Sequence, residues 1–460
     1  MKKYTSFIYF IILLTACSED FTQLSPISQR NVGNFFSNAA DFEIAVDGAY
    51  DGLQLDGTYG RTYLLLMEMR SDNANNAGGQ SGLSASMEEI DQFREIATAT
   101  ELQTAWSDSY EAIARCNAIL TQIEGVDFDQ EQKDQFMGET LFIRSLLYYN
   151  LAVVYGNVPL QLSIVSNPEE IEIDQVTSEA IYTQIIGDLT TAMELLPAGY
   201  TGEDIGRATS GSAAALLGKV YLTTGNYAEA ETTLRGLVNT QEYSLLPNYA
   251  DLWGAANENN AESVFEIQYK GGGQGEGSGY FEYFAQQLGR SGGVGGGNTP
   301  MGVTDDLIAA YEPGDLRFDA TIFTNGDDTT YVKKYISEQI TPFDGENNWV
   351  VIRYADVLLM LAEALGETPE SYDLINQVRA RAGLPAISAA TAGTFEEKLL
   401  HERRVELAFE NQRWTDLLRF GMAPDMMAEQ LDIPESQVSL IYPIPQREID
   451  VASGQLLQNP

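Results

Sequence analysis

The chain has 460 residues, with 67 acidic side chains against 26 basic ones, a formal net charge of −41, two cysteines and one histidine. That charge has the wrong sign for nucleic acid, whose binding rests on Lys and Arg neutralising phosphates, and for a polybasic membrane contact. So few cysteines and histidines leave no zinc site of the usual kinds and argue against a Ser-His-Asp triad.

The first element is a secretory signal: Met1-Lys2-Lys3, an apolar run from Phe7 to Leu14, then Thr15-Ala16-Cys17. The run is shorter than the roughly 20 residues a membrane-spanning helix needs. Leu14-Thr15-Ala16-Cys17 looks like a bacterial lipobox. Residues 1–16 are then removed, Cys17 carries diacylglycerol, and residues 17–460 form a body on a lipid tether. Several acyl chains on one cysteine hold durably, where one alone binds marginally. With Cys17 acylated, Cys116 has no disulfide partner and is expected as a small buried hydrophobe in a helix.

Helical spacing follows. Phe42, Ala45, Val46, Ala49 and Leu53 mark a helix in Ser37–Gln54, and Trp106, Tyr110, Ile113 and Leu120 share one face of another. Leu141 to Tyr155 pairs with it across an acidic turn near Asp127 and stops at Gly156 and Pro159. Further helices are predicted at about Glu179–Leu196, Arg207–Thr223, from Tyr227, at Arg353–Ala364, near Tyr372–Ala382 and at Phe395–Phe409. The pattern Gly225-x-Tyr227-x-x-Ala230 resembles half of a tetratricopeptide repeat, with the aromatic wedged between repeats.

Between these parts the pattern breaks. Ser263 to Tyr269 alternates like a strand, Gly271 to Gly297 is extremely glycine-rich, and Thr321–Tyr335 reads as a hairpin around Asn325-Gly326. Asn325-Gly326-Asp327-Asp328 lacks the distal glutamate of a calcium loop. The chain is therefore divided into a mainly α helical-repeat scaffold, 37–238 and 351–420, and an irregular, loop-rich insertion with short strands, 239–350. Long irregular loops of this kind carry function or are disordered.

Several blocks together resemble the SusD/RagB-type outer-membrane lipoproteins of the Bacteroidetes. They are Phe35-Phe36-Ser37-Asn38 with Ala45 to Leu53, Trp106 to Asn117, Gly138 to Leu146 with Tyr155 to Leu160, Arg353-Tyr354-Ala355-Asp356, Glu402 to Leu417, and Tyr442 to Ile449. The resemblance implies tetratricopeptide-like helix pairs and a more irregular ligand-binding half. It implies a cell-surface protein of the outer membrane that closes as a lid over a SusC-like TonB-dependent transporter. The lid captures a polysaccharide or oligosaccharide, or less often a peptide or other nutrient, without catalysis, cofactor or metal. Ser18-Glu19-Asp20 after Cys17 resembles a surface-export signal.

Sugar C–H faces stack on aromatic rings while polar side chains bind hydroxyls. Tyr280, Phe281, Tyr283 and Phe284, amid glycines, are therefore stacking candidates, with a local mini-core as the alternative; Arg290 lies nearby with its forked donors. The second candidate is Arg70 to Asn76, with Asp72, Asn73 and Asn75, a loop in which the family commonly places ligand contacts. Phe93 is a third. Trp106 and Trp414 are expected in the core. A glycoside hydrolase would need two carboxylates flanking the sugar; Glu402, Glu406 and Glu410 share a helix face but are expected to pair with Arg403, Arg404 and Arg413. A repeat scaffold that binds only another protein is the remaining reading.

Overall fold

In the computed structural model, which describes residues 35–77, 82–164, 174–284, 301–324, 330–337 and 341–459, helices follow one another with polar caps at their starts. Asn38 accepts from the Ala40 and Asp41 amides, and Asp129 and Thr177 cap the next long helices in the same way. Thr209 with Ser212, and Thr394 with Glu397, satisfy each other's first-turn amides reciprocally.

The helices are α1 (Ala39–Asp51), α2 (Thr62–Glu68), α3 (Leu83–Asp91), α4 (Thr100–Gln122), α5 (Gln130–Tyr155), α6 (Ser178–Leu195), α7 (Ser210–Thr223) and α8 (Tyr227–Thr240). After the irregular region, which holds the short α9 (Tyr280–Phe284), α10 (Asp305–Ala310) and α11 (Phe318–Thr321), come α12 (Tyr354–Leu365) and α13 (Pro369–Arg381). The chain closes with α14 (Phe395–Glu406), α15 (Arg413–Arg419), α16 (Ala423–Leu431) and α17 (Gln446–Val451). From α4 to α8 each helix packs on the one before. The chain then leaves the stack, and α12 returns to pack on α8 and carries α13. At the α7–α8 contact a Cβ on Gly218 would stand 2.4 Å from the Leu234 side chain, so glycine sets the closeness of the pair. Ala230 is buried there, but Tyr227 is about half exposed and does not wedge between helices: it is the first residue of α8, on the solvent side.

Among the described residues, eight short strands form four two-stranded antiparallel ribbons. β1 (Ala74–Asn76) pairs with β5 (Met301–Val303), and β2 (Val158–Pro159) with β3 (Gln175–Val176). β4 (Ser263–Ile267) pairs with β8 (Trp349–Arg353), and β6 (Ile322–Thr324) with β7 (Thr330–Val332). The β4–β8 ribbon lies under α7, so β4 is buried on both faces despite its alternating sequence. Arg353 ends β8 rather than sitting inside the helix that follows. No described helix is long and apolar enough to cross a membrane.

Buried charge joins the two parts. Arg353 reaches Glu262 at 2.8 Å, Glu406 at 2.5 Å and Glu410 at 2.8 Å. Arg317 holds Glu402 at 2.6 Å and Glu406 at 2.9 Å, Arg379 holds Glu402 at 2.9 Å, and Lys334 holds Glu410 at 2.6 Å. The three glutamates are thus neutralised, but not by their sequence neighbours. Arg403 points instead to Asp356 and Asp416, and Arg404 and Arg413 to Asp72. Adjacent residues on a helix face different directions, so partners come from other elements. Burial pushes the Glu406 carboxyl up, yet Arg381, Arg353 and Arg317 outweigh it and hold it well below the usual carboxylate range.

Candidate functional site

The two candidate segments, far apart in sequence, come together around one ribbon. After α2 the chain passes through Arg70 to Asn73 and enters β1, which pairs with β5: Ala74 opposite Val303, Asn75 opposite Gly302, Asn76 opposite Met301. A Cβ on Gly302 would fall 2.4 Å from the Asn75 side-chain oxygen, so a glycine is what lets that amide lie across the partner strand. Asn75 is exposed, and Asn76 Nδ2 donates to Glu88 Oε2 at 3.1 Å, tying β1 to α3. Beneath it, burial pushes the Asp91 carboxyl up to about 7. α9 packs beside β5, so its aromatic residues lie next to this ribbon.

The residues before Asn75 are its foundation. Asp72 is 1% exposed and receives Arg413 through two nitrogens, at 2.7 and 2.8 Å. Arg404 lies 3.1 Å from the same carboxylate and also donates to the Asp72 carbonyl and to Asn73 Oδ1, each at 2.8 Å. Burial raises the Asp72 carboxyl, but the Arg413 fork and the Arg404 charge prevail and hold it below its ordinary value. Thr304, just after β5, donates to the Asp72 carbonyl at 2.7 Å through its hydroxyl. Asp72 and Asn73 therefore hold the ribbon against α14 and α15 and present no group to solvent.

Phe93 is also structural. It is 7% exposed, and its ring lies with those of Trp414 and Tyr442 around the Arg70 guanidinium, at 4.8 Å for Phe93 and 3.6 Å for Tyr442. Arg70 is capped by Glu95 and by the Ser439 carbonyl.

The glycine-flanked aromatics divide. Tyr280 and Phe284 are fully buried, among Tyr335 and Trp349, with ring centroids 4.9–6.5 Å apart; the Tyr280 hydroxyl donates to the Tyr59 carbonyl at 2.8 Å. They form the mini-core, because their faces are spent on neighbouring rings and none is left for a sugar. Tyr283 is 7% exposed and meets Phe343 at 5.8 Å. Arg290 and Cys17 lie outside the described residues, as do the signal peptide and the tip of the β6–β7 hairpin.

Phe343 is the residue that sequence reading missed. It is 53% exposed, in the turn Pro342-Phe343-Asp344-Gly345. Pro followed by Asp-Gly is a legible turn signal, and an aromatic inside it was the available hint.

Two cavities lie in the described part of the protein. One of about 20 Å³, lined by residues including Lys219, Trp349 and Asn411, has room for a water molecule and none for a sugar. The other, about 230 Å³, lies between α1, the Glu203–Arg207 turn and the Ile267–Gln268 end of β4, with Glu276 on its rim. Its guanidinium, Arg207, is already engaged by Asp47, Glu139 and Asp204. Among the described residues no group of three or more His, Cys, Asp or Glu side chains is placed to hold a metal ion.

Comparison with known proteins bears on the whole chain. The profile described as "SusD family" matches residues 319–439, and "Starch-binding associating with outer membrane" matches residues 23–222. A solved structure titled "Laminarin binding SusD-like protein" is 30% identical, covers 92% of this chain and 100% of its own, and superposes with a TM-score of 0.80. The chain belongs to the SusD family. Another SusD-fold structure, "Surface glycan-binding protein A from Bacteroides fluxus", is 25% identical over 92% of this chain and 99% of that one, with a TM-score of 0.80. "SusD-like protein P2" of Formosa agariphila is 26% identical over the full length of both chains. The mainly helical architecture with few short strands is that of these SusD relatives.

Proposed function

We propose that this SusD-family chain is a non-catalytic glycan-binding lipoprotein of the cell surface. Anchored through Cys17 to the outer membrane, it captures a polysaccharide or oligosaccharide and passes it to a SusC-like TonB-dependent transporter. The observation that carries the reading is the likeness to a laminarin-binding SusD-like protein over nine-tenths of the chain. The exposed amide of Asn75 supplies hydroxyl contacts at the β1–β5 ribbon. With a formal charge of −41, a neutral glycan suits the chain better than a sulfated or uronate one, since anionic chains are repelled.

The test is isothermal calorimetry of the mature chain against laminarin, starch, xylan and a sulfated galactan, with reducing ends assayed after long incubation. Saturable binding of a neutral glycan without new reducing ends supports the reading. New reducing ends would sink the non-catalytic claim. Binding of peptide but of no glycan would replace the ligand class and leave the lid role. Co-purification from solubilised outer membranes tests the transporter partnership.

A further inference from the structure

We propose that Phe343 is a stacking platform for one pyranose ring, mounted on a turn whose backbone strain is held by the neighbouring glycine loop. This rests on the glycan-binding reading above and adds to it a residue and a recognition chemistry.

Two unfavourable features coincide at this position. Phe343 has φ of 61°, a left-handed conformation uncommon for any residue with a side chain and unusual for a bulky one. The residue is also 53% exposed, so packing does not compensate for that backbone. Strain of this kind persists only where the surroundings over-determine it, and it gathers at ligand-binding sites.

The surroundings do over-determine it. Asp344, next in sequence and 7% exposed, accepts from the Gly272 and Gly273 amides at 3.1 and 2.8 Å. Gly345 and Ser278 exchange two backbone hydrogen bonds, at 2.8 and 2.9 Å. A Cβ on Gly277 would fall 2.5 Å from the Asp344 backbone, so only glycine lets the two segments close. On Gly279 it would stand 3.0 Å from the Tyr283 ring and 3.2 Å from the Phe343 ring. Glycines of the glycine-rich stretch here clamp a turn.

The clamp holds the backbone that carries the ring. Phe343 leans on Tyr283 at 51°, with centroids 5.8 Å apart, and turns the rest of its surface to solvent. Tyr283 belongs to α9, which packs beside β5, the strand paired with the one bearing Asn75. A pre-set exposed ring binds without losing rotamer freedom. The apolar C–H face of a neutral pyranose is the chemistry it fits. The charged side chain of this turn, Asp344, is already satisfied by the Gly272 and Gly273 amides.

The experiment uses the mature chain, the neutral glycan bound by the native protein in the panel above, and the variants Phe343→Gly and Phe343→Trp. Phe343→Gly is expected to lower affinity about five-fold or more, by analogy with base stacking on aromatic side chains. Its thermal midpoint should equal or exceed the native one, because glycine adopts the left-handed conformation freely. Phe343→Trp should keep or raise affinity. Native-like affinity in Phe343→Gly overturns the platform and leaves the glycan reading intact. A joint fall of affinity and midpoint that tryptophan does not restore makes Phe343 a packing residue and also overturns it. Failure of the native chain to bind any glycan removes both readings.

Discussion

Replacing Asp72 by Asn separates anchoring from recognition in the Arg70–Asn76 loop. The carboxylate is 1% exposed and faces two guanidinium groups, Arg413 at 2.7 and 2.8 Å and Arg404 at 3.1 Å. Asparagine keeps the shape but removes the charge. Arg404 retains Asp306 at 2.7 Å, whereas Arg413 is left with the Leu400 carbonyl at 3.5 Å and a methionine sulfur. Removing one partner of a buried pair costs about 3–5 kcal/mol, and the retained contacts put this case near the low end, ~3 kcal/mol. With roughly 2.1 cal/mol/K of unfolding entropy per residue, the thermal midpoint falls by about 3 °C at pH 7. The folded carboxyl is held below its ordinary value, so its stabilisation is present above the unfolded pKa of about 3.9. It is lost as pH falls through the lower folded value, and the gap between native and variant should close in acid. Differential scanning calorimetry from pH 7 to 3 measures this, and titration at 20 °C measures glycan affinity. Affinity within two-fold of native is expected. A ten-fold loss of affinity with an unchanged midpoint would refute the anchoring role and return Asp72 to the binding surface.

Asn75→Ala, on the exposed side of the same ribbon, should weaken glycan binding by about 1 kcal/mol, roughly five-fold, without moving the midpoint; unchanged affinity would move hydroxyl recognition elsewhere. Glu68 is buried and its carboxyl is pushed up to about 7, by burial first and then by Glu410 and Asp72, against the Asn411 amide and Lys334. Its stabilising contribution is full below its unfolded pKa of about 4.3 and is lost as pH rises through 7. Glu68→Gln should therefore gain more thermal midpoint over native at pH 8 than at pH 5, and an equal difference at both would contradict the assignment. Cys17→Ala should shift the protein from the membrane pellet to the soluble fraction on ultracentrifugation, with retention in the pellet arguing for another anchor.

The long helices were legible mainly through an apolar stripe and, at some ends, a breaker. Ser178–Leu195 lies close to the expected Glu179–Leu196, whereas Gln130–Tyr155 ends as expected before Gly156 but begins well before the expected Leu141, at the Asp129 cap. The candidate site was legible only in part. The Asn-rich loop and the glycine-rich stretch stood out by composition, and their neighbourhoods meet at the β1–β5 ribbon. Composition did not tell which of their side chains face water. Tyr280 and Phe284 looked like surface aromatics because glycines flank them, yet Tyr335 and Trp349 arrive from some 50 to 70 residues away and cover them.

By itself the sequence determined what depends on neighbours along the chain: the helix pairs, their caps, the break between the two scaffold parts, and the family blocks. Its charge also set the kind of partner the surface tolerates. Tertiary structure alone decided what depends on distant partners. It paired Glu402, Glu406 and Glu410 with Arg317, Arg353, Arg379 and Lys334 rather than with adjacent arginines. It buried Asp72 against Arg413, 341 positions away, and left Asn75 in solvent. It also left the Phe343 ring outside, since exposure is set by which segments close over a residue, and local sequence does not encode that.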